Sequence, residues 1–222
     1  MEAGRLGSTL RPMNLPEMRA RVRRDLRDED PQQERWADDV LDRHIERALR
    51  EFSLAVPWLA VAELTTTPGS RDLSLASLAD RVAVEAVEYP VGLYPVSYVR
   101  FSLWGDTLTL LVDPAPAAAE AVRVYYGRLH TLDGTSSSVP PALEDVVAEG
   151  AAAYAALEWA QYAANRVNAG GDDVWRRYLV WGQERLARFH EALARHGRRA
   201  GVRARRLYAP ALPPAGPAPF DA

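Results

Sequence analysis

Apolar positions along the chain follow a helical period, then a period of two, then a helical period again. Leu15, Met18, Val22 and Leu26 recur at helical spacing with arginines between them, which predicts a short amphipathic helix. Asn14 ahead of Leu15-Pro16-Glu17 gives it a capping-box start, and the acidic Asp28–Pro31 segment breaks it. A second helix starts near Asp38, where two aspartates suit the positive end of the helix dipole. Leu41, Ile45, Ala48, Leu49 and Phe52 form its buried stripe, and Pro57 ends it.

The period then becomes two. Alternating or Val/Leu/Thr-rich runs cover residues 59–67, 81–89, 97–104, 107–112 and 119–126. Pro68-Gly69 is a turn signal and Gly105-Asp106 a two-residue hairpin signal. The connections are too short for parallel crossovers, so four or five antiparallel strands in a meander are expected. Pro90–Pro95 and Pro114–Ala118 read as exposed loops open to a tail component or a neighbouring subunit.

After a polar loop, Pro140 and Pro141 open a helix with almost no polar face. Val146, Val147, Tyr154 and Leu157 fill one side of the run Val146–Val167, and Ala152, Ala155, Ala156, Trp159, Tyr162 and Ala163 fill most of the other. A helix covered on one side should carry a charged back. Cover on both sides is therefore expected, and other copies of the chain are the natural source of it. On that argument Ala152, Ala155, Ala156, Trp159 and Tyr162 form a subunit interface. Asn168–Gly171 closes the helix, and Asp172 and Asp173 cap a last one with Val174, Tyr178, Trp181, Leu186, Phe189 and Leu193 as its stripe.

The expected fold class is α+β: a bundle of two short N-terminal and two long C-terminal helices, an inserted antiparallel β block and an extended C-terminal tail. The divisions are a flexible N-terminus (1–13), a helical core (14–57 and 139–198), a β module (58–130) and an Arg/Pro-rich tail (199–222).

Composition narrows the chemistry. The 222 residues include no cysteine, which excludes disulfides and thiolate metal sites. All 27 basic residues are arginine, yet the net charge is −3, unlike a globally basic nucleic-acid binder. No run approaches a membrane span and no apolar signal core opens the chain, so a soluble protein made in the cytoplasm, with no membrane partner, is expected. Residues 28–42 are acidic and 195–206 basic. The basic cluster could touch phosphates, pair with acids on a partner, or lie solvated. Leu207, Tyr208 and Phe220 beside Arg203, Arg205 and Arg206 favour docking on a partner.

Catalytic signals are weak. There is no glycine-rich phosphate loop and no nucleophile elbow. Ser136, Ser137 and Ser138 lie near His130 and Asp133, but closeness along the chain is not triad geometry. His44, His190 and His196 have no partner at ligand spacing. The Asp28–Asp39 run lacks the glycine and final glutamate of a calcium loop. No catalytic residue, cofactor or metal is expected.

The order of elements resembles the head–tail adaptor (connector) proteins of tailed bacteriophages, including the tail-tubular-A-like adaptors of short-tailed phages. The likeness covers roughly residues 14 to 200. It rests on Val139-Pro140-Pro141-Ala142-Leu143-Glu144-Asp145-Val146-Val147 leading into an Ala/aromatic helix and a Gly-Gly turn, and on Leu15 to Leu26 followed by an acidic break and Trp36. The resemblance implies a non-enzymatic virion protein in the neck between capsid portal and tail. It would form a ring with copies of itself, a dodecamer, under the portal protein. That ring would join a tail or nozzle protein and extend a channel for double-stranded DNA without sequence-specific binding. A C-terminal segment inserting between portal subunits would correspond by position to Arg203–Phe220. Two other readings are a DNA-binding regulator with a helix-turn-helix around Gly170-Gly171 and a small hydrolase using the His130–Ser138 loop.

Overall fold

The computed structural model describes residues 11–164 and 173–207, with side chains to Arg198. The chain divides into two units, with boundaries at Trp58/Leu59, Arg128/Leu129 and Gly197/Arg198.

The first unit is helical. Helix α1 (Leu15–Leu26) begins with the capping box: Glu17 N–H donates to the Asn14 side chain, and the Glu17 carboxylate accepts the Asn14 N–H. Helix α2 (Asp38–Ala55) buries Leu41, Ile45, Ala48 and Phe52. A short 3-10 turn (Pro141–Leu143) leads into α3 (Glu144–Ala164), and α4 (Val174–Leu207) closes the unit. Its core gathers Met18, Val22, Ile45, Phe52, Val147 and Phe189.

Helix α3 corrects one expectation. Ala152, Ala155 and Ala156 are wholly buried, and they are buried by this chain's own helices. Alanine lets α1, α2 and α4 pack close around α3, so the missing polar face calls for no second copy. Gly150 carries this furthest: a Cβ there would lie 2.9 Å from the Phe189 ring. Trp159 is half-buried against Tyr178, and Tyr162 is 51% exposed.

The second unit holds six strands: β1 (Trp58–Thr65), β2 (Asp72–Ser74), β3 (Arg81–Glu88), β4 (Phe101–Trp104), β5 (Thr107–Leu110) and β6 (Ala121–Arg128). They make two antiparallel sheets, ordered β1-β6-β3 and β2-β5-β4. The hairpin at Gly105-Asp106 forms with Trp104 opposite Thr107 and Gly105 at φ 56°. The block is not a meander, because β6 lies between β1 and β3. Val122, Val124 and Tyr126 are all buried, and a strand with that much apolar surface gains most in the middle of a sheet. The short β2 escapes periodicity because three residues are too few to show a period.

Residues 199–207 were expected in the extended tail, but their backbone is helical. Arg, Ala and Leu are strong helix formers and no proline intervenes there. The Asn168–Gly171 turn, Asp172, Tyr208 and Phe220 lie outside the described residues, as do the side chains of Arg203, Arg205, Arg206 and Leu207.

Candidate assembly interfaces

The residues nearest to catalysis are used for structure. His130 is buried and its ring packs on Phe52. Its Nε2 lies 3.0 Å from the Val56 carbonyl, and its Nδ1 lies 3.0 Å from both the carbonyl and the hydroxyl of Ser138. Burial lowers the His130 pKa, outweighing the Val56 and Ser138 carbonyls, which raise it. Ser138 Oγ also accepts the Thr131 N–H at 2.8 Å. Asp133 plays no part in orienting His130. Its carboxylate accepts the N–H groups of Thr135 and Ser136 and both their hydroxyls, which holds its pKa at about 2. A triad needs the acid on the histidine, and here the acid caps its own turn.

The acidic run is likewise spoken for. Asp28 accepts from Arg23 at 2.8 Å and from the N–H groups of Arg35 and Trp36. The same buried Arg23 reaches the Trp36 carbonyl at 2.9 Å and Asp38 at 2.7 Å, and its guanidinium is the main reason the Asp38 pKa falls. A cation bound by Asp28 would have to displace a guanidinium. Trp36 Nε1 donates to the Ala155 carbonyl, fixing the loop on α3. Spacing alone could not single out Arg23, because it is one of four arginines in a short helix.

Among the described residues, two surfaces are candidates for contact with other molecules. On the helical unit, a cleft of about 340 Å³ lies between the end of α1 and the first half of α4, lined by Asp25, Leu26, Arg27, Arg177, Tyr178, Trp181 and Arg185. Beside it Arg35 lies 4.4 Å from the Trp159 ring centre and donates to the Tyr178 hydroxyl at 2.6 Å. This concentration of Trp, Tyr and Arg is the composition of interface anchors.

On the β unit, a buried carboxylate builds a loop. Glu88 accepts the Gly92 N–H at 3.0 Å, the Tyr125 hydroxyl at 2.7 Å and the Arg123 guanidinium at 3.3 Å. Those donors, the Gly92 N–H first, lower its pKa. Gly92 sits at φ 88°, where a side chain would strain the backbone. Tyr89 N–H to the Ser97 carbonyl and Val99 N–H to the Val87 carbonyl close the base. The loop is thus held in shape while its tip stands out: Tyr94 is 99% exposed and Leu93 53%. The Pro114–Ala118 loop is instead tied back, its carbonyls accepting from Gly69 N–H and the Thr66 hydroxyl.

The family described as SU10 adaptor protein matches residues 13–211 of this chain. The chain belongs to the SU10 adaptor protein family. It is a phage adaptor-type protein, a structural component of the virion that works through other virion proteins. Comparison with curated protein sequences gives no match. Among the described residues of the adaptor no helix is long and apolar enough to cross a membrane. The Gly170-Gly171 turn of the helix-turn-helix reading lies outside the described residues.

Proposed function

We propose that the adaptor assembles into a ring beneath the portal, extends the DNA channel and joins the tail, without catalysing a reaction. The observation that carries this reading is the family match across residues 13–211. The exposed aromatic tip of the β unit and the Trp/Tyr/Arg cleft of the helical unit support it, because apolar anchors of that kind are spent on partners. A net charge of −3 suits a channel wall that DNA slides past without being gripped. Trp159 and Tyr162, at the outer end of α3, belong to the subunit contact in this reading. Arg203, Arg205, Arg206, Leu207, Tyr208 and Phe220 dock on the portal, the arginines pairing with acids and the apolar residues filling pockets.

Native mass measurement of the adaptor alone and with its portal protein is the test. A closed ring, at least in the portal complex, is expected. A monomer that never joins the portal overturns the reading.

A further inference from the structure

We infer that copies of the adaptor join head to tail by inserting the Leu93-Tyr94 tip of one copy into the α1–α4 cleft of the next. This deepens the ring reading and rests on it, naming the contact that links neighbours.

The tip is uncharged over Pro90–Pro95. It is fully exposed at Tyr94, yet held in shape at its base by Glu88 and at its turn by Gly92. A projecting aromatic already fixed in place loses little conformational freedom on binding. The cleft answers it in both size and chemistry. Leu26, Tyr178 and Trp181 supply an apolar lining, and about 340 Å³ is room for a tyrosine and a leucine side chain. Asp25 is engaged by Arg185 and Arg21. Arg27 and Arg177, by contrast, have no ion pair among the described residues. Among the described residues their guanidinium groups meet no side-chain acceptor, and they suit a tyrosine hydroxyl, the carbonyls of a proline-rich loop and the face of its ring.

One chain therefore carries both a knob, on its β unit, and a hole, on its helical unit. In a ring of more than two copies neighbours meet heterologously, so the knob of each copy can fill the hole of the next all the way round. A tail component could also receive the tip, but it would leave the cleft unfilled.

The chain has no cysteine, so introduced thiols are the only ones present. Tyr94→Cys and Arg177→Cys chains with different tags would be co-expressed with the portal protein, and the assembly treated with a short bis-maleimide. A linked pair carrying both tags is expected, with no link from either variant alone. Tyr94→Ala, at a fully exposed site, should leave the circular dichroism unchanged and weaken ring assembly roughly thirtyfold, the weight of an aromatic interface anchor. Linking by Tyr94→Cys alone would mean tip-to-tip pairing and overturns the inference. A Tyr94→Ala ring of wild-type mass and stability, with no mixed link, overturns the inference and leaves the ring standing. Absence of any ring with or without portal overturns both.

Discussion

Arg23 shows how much one side chain can carry in the adaptor. Its guanidinium lies 2.8 Å from Asp28 and 2.7 Å from Asp38, with a third bond to the Trp36 carbonyl, and its side chain is 10% exposed. Asp28 is equally enclosed. Removing one partner of such a pair strands the other charge away from water, a loss of about 3–5 kcal/mol. Arg23→Ala should therefore lower unfolding stability by about that amount in urea titration. Replacing both partners, Arg23→Met with Asp28→Leu, should recover a large part of it, because no charge is then left buried. If the double variant is as unstable as the single one, the damage lies in packing rather than in an orphaned carboxylate.

Among the elements, α3 sets the tolerances. It is wrapped by three neighbours, and its alanines and Gly150 are what bring them close. Gly150→Ala would place a methyl group 2.9 Å from the ring of Phe189, a fully buried side chain with little room to move. Overpacking of that kind costs about 1–3 kcal/mol, while alanine returns about 0.5–1 kcal/mol of helix propensity. A net loss of about 1–2 kcal/mol in thermal or chemical denaturation is expected. Gly134→Ala is the control, since nothing lies within 4 Å of a Cβ there and its stability should stay within about 0.5 kcal/mol of the parent. Equal effects at the two glycines would show that the α3–Phe189 contact is looser than its distances indicate.

For the whole molecule, truncation tests the proposal that the C-terminal segment docks on the portal. Helix α4 continues to Leu207, and at Gly197 it passes Ala55, whose carbonyl lies 3.0 Å from a Cβ built there. A cut after Leu207 leaves every described element in place, and a cut after Gly197 removes the last ten residues of α4 as well. Both truncated proteins should unfold at the parent midpoint. The first should bind the portal at least about tenfold more weakly through loss of the Tyr208 and Phe220 anchors, and the second more weakly still, without Arg203, Arg205, Arg206 and Leu207. Portal affinity equal to that of the intact chain in both would assign docking to the folded units instead.

Local chemistry was legible in the sequence. The Asn14–Glu17 capping box, the buried stripe of α2, the Gly105-Asp106 hairpin and the change of period on either side of the β block depend on residues a few places apart, and such patterns survive without a fold. That the chain is a phage adaptor-type protein was legible as an order of elements. What covers α3 was not, because an all-round apolar helix looks the same whether its own chain or a neighbour packs on it. The place of β6 between β1 and β3 was equally hidden, since strand order depends on pairings across dozens of residues. The assembly surfaces were the least visible. Pro90–Pro95 reads as an exposed loop, but nothing local says that Tyr94 is the residue that projects, and the cleft joins Leu26 and Arg27 to Trp181 from opposite ends of the sequence. Only packing decides which aromatics are core and which stay exposed, because burial depends on every element at once while capping and turns depend on neighbours alone.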